Sequence, residues 1–337
     1  MRHGNISVFV PHVGCTHRCS FCDQSAITGA KDLPIAKTVL DAVHTAVNSK
    51  GYSPEKTELA FFGGSFTAIE KNYMLCLLNA AQKCVNENLI SGIRLSTRPD
   101  AIDNEILRLL KSKGVTAIEL GCQSLDDNVL KNNFRGHTER DVEIASKKIK
   151  NFGFSLGLQM MTGLYTDTDE NSIKTAEKII FFGADTVRIY PTLVLKNTYL
   201  CRLYEKGMYV PQSVEQAVNL CAQLLSMFSK TKTKVIRLGL HSVEKSNFVA
   251  GPWHPAFGEL CEGRLYLNKI ISAVNEKKIP KGDLFAVVPY GCRSKAVGHK
   301  KCNVEILKKM GYNYTVVESG QVCNTEDERT VFLDHMQ

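Results

Sequence analysis

The sequence predicts an α/β fold, a partial (β/α)6 TIM-like barrel that is followed by a small α+β C-terminal extension. Two observations support this prediction. Runs rich in β-branched and aromatic residues alternate with longer amphipathic stretches of helical period, and the alternation occurs six times before about residue 210. Because alternating strands and helices form parallel sheets with right-handed crossovers, such units are expected to curl into an open barrel.

In chain order, each predicted strand is followed by a predicted helical stretch. The six pairs are ISVFV with AKTVLDAVHTAVN, ELAFF with EKNYMLCLLNAAQKCVNE, IRLST with DNEILRLLKSKG, TAIELG with DVEIASKKIKNFG, FSLGLQMM with ENSIKTAEKIIFFG, and DTVRIY with a further helical region. A core domain is therefore predicted for residues 5–210. In barrels of this kind, catalytic residues collect on the loops at the carboxyl ends of the strands.

Past about Pro211 the strand and helix rhythm weakens, which predicts a separate extension over residues 211–337. Its expected helices are SVEQAVNLCAQLLSMF and GRLYLNKIISAVNE, and its expected strands are KVIRLGL, LFAVVP, YTVVE and TVFLD. The chain contains no internal repeat and no low-complexity segment.

The composition is that of an ordinary globular protein, with 44% hydrophobic and 23% charged residues. Twelve cysteines among 337 residues are too few for a disulfide scaffold, and there is neither a signal-peptide core nor an apolar run of about 18 residues. We therefore expect a cytoplasmic protein without membrane contacts, in which clustered thiols bind metal or carry redox chemistry. The net charge of +8 favours an anionic partner such as nucleic acid.

Three cysteines lie close together directly after the first predicted strand, in VPHVGCTHRCSFCDQ: Cys15, Cys19 and Cys22. Three thiolates from one short loop can each bind one iron of a cubane cluster and leave the fourth iron open to another ligand. The alternatives are a zinc site completed by His12 or His17, and unrelated thiols. Structural zinc sites usually draw their ligands from two separated pairs, so the spacing favours the cluster.

This cysteine spacing, C-x3-C-x2-C with Phe21 directly before the last cysteine, resembles the radical S-adenosylmethionine (SAM) superfamily. After the second strand, FFGGSF places Gly63, Gly64 and Ser65 where that superfamily has a Gly-Gly motif that meets the amino group of the methionine moiety of SAM. Glycine suits this position because it lets the backbone approach a ligand closely.

Three further segments, LSTRPDAI, IELGCQSLDDNVLKNNFRGHT and RIYPTLVLKNTYL, resemble the radical SAM portion of the Elongator catalytic subunit, which modifies wobble uridine in tRNA. Within them, Gln123 and Arg135 match a glutamine and an arginine that in oxygen-independent coproporphyrinogen dehydrogenases contact the ribose and the carboxylate of SAM. An amide suits ribose hydroxyls, and a guanidinium pairs bidentately with a carboxylate.

The chain also departs from the Elongator pattern. The cysteine spacing in that family is longer, and Ser96 stands where relatives often carry a glutamate, so the expected ribose contact at this position lacks its usual carboxylate. Residues 211–337 show no acetyl-CoA loop, so we expect no acetyltransferase domain there.

The resemblance implies a [4Fe-4S] cluster on the three cysteines, SAM in the barrel mouth, and reductive cleavage of SAM to a 5′-deoxyadenosyl radical. It also implies a one-electron reductant such as ferredoxin or flavodoxin, and tRNA as the partner. No catalytic residue is assigned. Two alternatives remain open: a radical SAM enzyme that acts on a small metabolite or peptide, and a non-catalytic iron-sulfur or zinc protein that binds a partner.

The C-terminal region adds weaker candidates. GPWHPAFGELCEGRLY contains Trp253, His254, Glu259 and Glu262, of which His254 beside Trp253 is a candidate to face substrate, with a structural role as the alternative. The spacing of Cys292, Cys302 and Cys323 matches no common metal site, so buried single thiols are expected there. The basic run RSKAVGHKK, residues 293–301, is expected to be a solvated face, with phosphate contact as the alternative.

Overall fold

The structure is a computed structural model that describes residues 4–11, 14–15, 18–23, 32–240, 246–319 and 330–333. The chain divides into two compact units. The first comprises Met1–Gln212 and Val235–Pro252, and the second comprises Ser213–Lys234 and Trp253–Gln337.

The first unit is built on one large sheet and one short strand pair. In chain order its strands are β1 (Gly4–Val10), β2 (Thr57–Gly63), β3 (Gly92–Thr97), β4 (Val115–Gln123), β5 (Ser155–Thr162), β6 (Thr186–Pro191), β7 (Val194–Leu195), β8 (Lys234–Leu238) and β9 (Phe248–Ala250). Seven of them form the sheet in the order β1-β2-β3-β4-β5-β6-β8. The other two, β7 and β9, pair with each other in antiparallel fashion.

Neighbouring strands from β1 to β6 are parallel, with registers such as Ile6 opposite Leu59 and Leu158 opposite Val187. Parallel sheets need cover on both faces, which explains the near-continuous apolar runs that identified these strands in the sequence. The predicted α/β fold with a partial TIM-like barrel is confirmed.

The helices of the first unit follow the strands as the alternation predicts. They are α1 (Ala36–Val47), α2 (Lys71–Asn86), α3 (Asn104–Ser112), α4 (Asp127–Asn132), α5 (Glu139–Asn151), α6 (Asp169–Phe181) and α7 (Tyr199–Glu205). Polar side chains begin several of them: Asp103 caps α3, Thr138 forms a capping box with Asp141 at α5, and Thr168 caps α6. These caps satisfy amide groups that have no partner inside the helix.

The sheet is one strand wider than the six predicted units. KVIRLGL, which the sequence pattern placed in the extension, supplies β8 and lies beside β6, and just beyond β8 the amide of Gly239 donates to the carbonyl of Ile189 at 2.9 Å. Residues 235–252 accordingly belong to the first unit. The division into a core at 5–210 and an extension at 211–337 stays a prediction. Pairing between strands that are distant in sequence leaves no local signal.

The second unit contains α8 (Val214–Phe228), α9 (Phe257–Glu276), β10 (Gly282–Val288), α10 (Arg293–Val297), α11 (Cys302–Lys309), β11 (Tyr312–Glu318) and β12 (Thr330–Phe332). Its sheet has the order β11-β10-β12, and both pairings are parallel. An apolar core that includes Ile270, Leu284, Val288 and Leu307 holds it together. Among the described residues of the whole chain, no helix is both long and apolar enough to cross a membrane.

Candidate active site

All ten residues that the sequence singled out for a cofactor site line one cavity of about 630 Å³ in the first unit. They come from the loop after β1, from the carboxyl ends of the next three strands and, in the case of Arg135, from the segment after α4. The ten residues are Cys15, Cys19, Phe21, Cys22, Gly63, Gly64, Ser65, Ser96, Gln123 and Arg135. Parallel strands bring their carboxyl ends to one edge of the sheet, which explains this convergence.

The cysteine loop is held in place by contacts far along the chain. Ser20, fully buried between the second and third cysteines, donates from its hydroxyl to Asn133 Oδ1 at 2.6 Å and from its amide to the Asn133 carbonyl at 3.1 Å. Its own carbonyl accepts from the Leu200 amide at 2.7 Å. Phe21 packs against an apolar cluster that includes Leu200 and Leu203. Ser20 and Asn133 were missed at the sequence level because serine and asparagine carry no motif of their own.

The three thiols lie in a confined and partly buried place. Burial raises the pKa of Cys22 to about 12, and the neighbouring Cys19 and Cys15 act in the same direction. Three thiolates this close repel one another, so a bound cation would favour the deprotonated ligand form. Among the described residues, no three His, Cys, Asp or Glu side chains converge on one point to hold a single metal ion. Thiolates that each bind a different iron do not need to converge.

Two glycine positions bring the cysteine loop and the turn after β2 close together. The Gly64 amide donates to the Val10 carbonyl at 2.7 Å, and a Cβ added to Gly63 would lie 2.9 Å from the same oxygen. Gly14 has φ +78°, and a Cβ there would overlap the Ser65 carbonyl. Larger side chains would therefore push the cysteine loop away from the Gly-Gly turn. Gly14 was missed at the sequence level, although it directly precedes Cys15.

Gln123 and Arg135 meet around a further glycine, Gly121. Gln123 has φ +64°, an unusual value for a residue with a side chain, and it follows a register shift in β4. Arg135 is 9% exposed. Its Nη2 donates to the Gly121 carbonyl, and its Nη1 donates to Cys19 Sγ at 2.9 Å. Its Nε is buried and has no hydrogen-bond partner among the described residues. A strained backbone beside an unsatisfied donor is typical of ligand sites.

Ser96 lines the cavity, but its hydroxyl is already engaged. It accepts from Gln159 Nε2 at 3.0 Å, and the same nitrogen lies 3.0 Å from Glu119 Oε2. Glu119, 1% exposed, accepts from Arg188 at 2.6 and 3.0 Å and from Arg94 at 3.3 Å. The carboxylate nearest to Ser96 in the strand register is thus buried in an ion-pair network.

The cavity is strongly cationic. Of its described lining residues five are arginines and none is Asp or Glu; the arginines are Arg18, Arg98, Arg135, Arg188 and Arg237. Arg98 and Arg188 pair with Asp100 and Glu119, which do not line the cavity, whereas Arg135 and Arg237 form no ion pair with a described carboxylate. These two guanidinium groups favour an anionic ligand. Of these five, only Arg135 could be identified from the sequence, because an arginine on a barrel strand belongs to no motif with a recognisable spacing.

The C-terminal candidates lie in the second unit. His254 Nδ1 accepts from the Ala256 amide at 3.0 Å, and its ring meets His299 edge-on at 5.5 Å. Glu259 lies 3.6 Å from His299 and is 73% exposed at its side chain, while Glu262 pairs with Lys295 at 3.1 Å. A substrate role for His254 or Trp253 stays a prediction.

Burial was expected for the C-terminal cysteines, and the outcome is divided. Cys292 is buried as expected, whereas Cys302 is exposed, and that expectation was wrong. Cys302 begins α11 beside the basic run and packs near Gly298 rather than into the apolar core. Cys323, His12 and His17 lie outside the described residues.

Two family models match the chain. The model of the radical SAM superfamily matches residues 9–179, which is about half of the chain, and the model of the radical SAM C-terminal domain matches residues 184–266. The second match includes the strand β8, so it crosses the boundary that the sequence pattern predicted.

Among curated proteins, the chain is 23% identical over 239 residues to a tRNA uridine(34) acetyltransferase from Dehalococcoides mccartyi, covering 61% of this chain and 52% of that protein. It is 30% identical over 197 residues to Elongator complex protein 3 from Saccharomyces cerevisiae, covering 52% of this chain and 35% of that protein. The chain thus spans about half the length of these relatives or less.

Among solved structures, the archaeal Methanocaldococcus infernus Elp3 with an N-terminal deletion is similar, with a TM-score of 0.64 and 21% identity. The match covers 84% of this chain and 66% of that chain. At this identity the likeness concerns the fold, which agrees with the parallel sheet described above.

Proposed function

The chain belongs to the radical SAM superfamily, and from this premise we propose that it cleaves SAM reductively at a [4Fe-4S] cluster in order to modify tRNA. The single observation that carries the proposal is the convergence of the three cysteines, the Gly-Gly turn, Gln123 and Arg135 on one cavity. Parallel strands explain why these residues meet at one edge of the sheet, and the combination of three thiols, a Gly-Gly turn, an amide and a guanidinium at one cavity supports a shared cofactor site.

Cys15, Cys19 and Cys22 would hold the cluster. The donor set fits, since thiolates are the usual ligands of iron-sulfur clusters and three of them leave one iron free. When bound and reduced, the cluster supplies one electron to SAM, which yields methionine and a 5′-deoxyadenosyl radical. The Ser20 and Asn133 contacts keep the loop in position while metal binds. Ferredoxin or flavodoxin is the proposed class of electron donor.

The SAM contacts are proposed along the carboxyl ends of β2 to β4. The backbone of Gly63, Gly64 and Ser65 would meet the amino group, because glycine lets the backbone approach a ligand closely. Gln123 would bind ribose hydroxyls, with Ser96 nearby, and Arg135 would pair with the carboxylate. The unsatisfied Nε of Arg135 supports this role, because a carboxylate would give it an acceptor. Phe21 would cover the cluster loop from the apolar side.

The protein's own contribution is positioning and exclusion of water. Arg98 Nη2 donates to the Arg135 carbonyl at 3.0 Å, and Asp100 accepts from Arg98 Nε at 2.6 Å. These contacts fix the position of the Arg135 backbone. His137 lies two residues further, and burial lowers its pKa to about 4, with Arg135 acting in the same direction. Its ring therefore stays neutral at pH 7 and adds no charge beside the proposed carboxylate site.

tRNA is the proposed substrate for two reasons. One relative is named for uridine 34 of tRNA and another for the Elongator complex, and the chain covers about half of the first and a third of the second. The protein is also basic, and the wall of the cavity carries arginines without a described acidic residue. Phosphate groups of RNA would match this charge.

A small anionic metabolite is the second candidate. The cavity volume of about 630 Å³ is within the range of ordinary small-molecule sites, and the same arginines would bind a carboxylate. Under this alternative the cavity accepts a whole molecule rather than one nucleotide of a long chain.

The test is SAM cleavage under anaerobic conditions. Protein reconstituted with iron and sulfide is reduced with dithionite and given SAM alone, SAM with bulk tRNA, or SAM with the small-molecule fraction of a cell extract. We expect 5′-deoxyadenosine in all three, with the largest yield and a newly modified uridine when tRNA is present.

The outcomes separate the candidates. Stimulation by the small-molecule fraction but not by tRNA would favour the metabolite. Protein that holds its cluster and SAM but releases no 5′-deoxyadenosine in any arm would contradict an enzyme of this class and favour a non-catalytic binder.

A further inference from the structure

The cavity has a second face that none of the proposed cluster or SAM contacts occupies. Its residues lie on the inner sides of strands at both edges of the large sheet and on β2 and β6. They are Phe9 on β1, Phe62 on β2, Arg188 and Tyr190 on β6, and Arg237 on β8. The alternation of side chains along a strand explains why Arg188 and Tyr190 point the same way.

Arg237 lacks the carboxylate partner that three largely buried arginines of this unit have. Arg94 pairs with Glu58 and Glu119, Arg188 with Glu119, and Arg98 with Asp100. Arg237 donates through Nε to the carbonyl of Gly239, two residues along its own backbone, at 2.9 Å. No carboxylate within the described part of the chain forms an ion pair with it. It is half-buried and faces the cavity.

A half-buried cation without a counter-charge is costly, and the surroundings of Arg237 show that cost. Burial lowers its pKa; Tyr190 opposes this change and Arg188 adds to it. Burial also raises the pKa of Tyr190, so its hydroxyl remains protonated and available as a hydrogen-bond donor. An anionic ligand between these two side chains would offset the desolvation of the guanidinium.

An aromatic surface lies beside the cations. Phe9 is 39% exposed, is opposite Phe62 in the strand register, and has its ring centroid 6.4 Å from that of Phe62. The guanidinium carbon of Arg188 lies 4.9 Å from the Phe62 ring centroid. An exposed ring and cationic side chains that line the same cavity match the two parts of a nucleotide, a flat base and a phosphate.

We propose that this face binds one nucleotide of the RNA substrate, with the base stacked on Phe9 and an adjacent phosphate held by Arg237 and the Tyr190 hydroxyl. The inference rests on the proposed function and deepens it, because it specifies which wall receives the nucleotide. A carboxylate of a small metabolite at the same residues is the competing occupant. The aromatic surface favours the nucleotide, because a base can stack on the Phe9 ring and a carboxylate cannot.

The experiment uses reconstituted protein and a 17-nucleotide anticodon stem-loop RNA with uridine at position 34 as the probe. The variants are Arg237→Gln and Phe9→Leu, and the matched control is Arg140→Gln, which removes an arginine that is 75% exposed on the outer helix α5. Binding is measured by fluorescence anisotropy over a range of salt concentrations. The same RNA is also made with an uncharged methylphosphonate in place of the phosphate on either side of uridine 34.

We expect Arg237→Gln to weaken RNA binding by about 10-fold or more and to reduce the salt slope by about one, as loss of one phosphate contact predicts. Phe9→Leu should weaken it by about 5-fold, the loss of one stacked base. One of the two methylphosphonates should have little further effect in Arg237→Gln, although it weakens binding to the unsubstituted protein. Arg140→Gln should bind the RNA as the unsubstituted protein does.

Three results would overturn the inference. The first is equal RNA affinity in Arg237→Gln and in the control. The second is fully additive losses for Arg237→Gln and both methylphosphonates. The third is a protein that does not bind the stem-loop at all, which would also contradict tRNA as the substrate. Measuring 5′-deoxyadenosine from SAM without RNA keeps the proposals apart, because normal RNA binding without SAM cleavage would contradict the proposed reaction and leave the nucleotide site standing.

Discussion

The two units of the protein treat polar side chains in opposite ways. In the first unit, charged and amide groups lie on the inner face of the large sheet, where Glu119 is 1% and Arg94 6% exposed. In the second unit, the sheet β11-β10-β12 is supported by an apolar core, and its ion pairs lie at the surface, with the Glu259 side chain 73% exposed. Because buried charges are costly to desolvate, we infer that the first unit retains them for ligand binding rather than for stability.

The difference also separates binding from packing. The interior of the first unit has a cavity lined by arginines, thiols and glycine turns, whereas the described apolar core of the second unit consists of side chains such as Ile270 and Leu307. Function is therefore expected to respond to mutations in the first unit, and stability alone to mutations in the core of the second.

The largest effect is expected for the cysteine loop. Replacing Cys15, Cys19 and Cys22 together by Ala should abolish iron binding and 5′-deoxyadenosine formation, because the three thiolates are the proposed ligands of the cluster. The matched control is Cys302→Ala, which removes an exposed thiol of the second unit and should leave both unchanged. Iron content and the visible absorption spectrum after anaerobic reconstitution measure the difference. Four irons per chain in the triple variant would show the assignment to be wrong.

A buried acid should matter more than an exposed one. Glu119→Gln leaves the largely buried Arg188 without its counter-charge, while Arg94 keeps Glu58 at 2.8 Å, and is expected to lower the free energy of unfolding by about 3 kcal/mol. Glu259→Gln, in an exposed pair with His299, should change it by less than about 1 kcal/mol. Urea unfolding followed by circular dichroism gives both values. Equal losses would mean that the interior network does not differ energetically from the surface pairs.

Arg135→Ala is expected to weaken SAM binding by about 1.5 to 3 kcal/mol, the usual contribution of a charge-assisted hydrogen-bonded pair. Arg264→Ala, which removes a guanidinium of the second unit that interacts with Asn219 and Glu215, should not change SAM binding. Isothermal titration of reconstituted protein with SAM measures both. Unchanged affinity in Arg135→Ala would exclude the carboxylate role.

The smallest expected difference compares two glycines that share φ +78°, Gly14 in the first unit and Gly291 in the second. Alanine at either position costs about 1 to 2 kcal/mol for the left-handed backbone. Gly291 has no atom within 4 Å of the added Cβ, whereas at Gly14 the Cβ meets the Ser65 backbone, so Gly14→Ala should cost about 1 kcal/mol more. Thermal unfolding of the two variants measures the gap, and cluster content should fall only in Gly14→Ala. Equal unfolding temperatures for the two variants would show that the turn after β2 can move to accommodate the added Cβ at residue 14.

Residue pattern and motif spacing were enough to predict the six strand and helix units and the cysteine loop after the first strand. They also identified Gly63, Gln123 and Arg135 as candidate site residues. These features are readable because they depend on local properties: the period of apolar residues, and motif spacing within one loop or one strand end. Their meeting at one edge of the sheet then follows from the parallel arrangement that the alternation predicts.

Other features of the site could not be predicted, because they depend on contacts between residues that are distant in sequence. The pairing of β8 with β6, the anchoring of Ser20 by Asn133, the burial of Glu119 among arginines and the position of Arg237 at the cavity wall all join residues that are distant in sequence. The sequence around a strand arginine does not show whether a carboxylate will pair with it. Its counter-charge comes from another strand, and the register that brings the two together is set by the packing of the whole sheet.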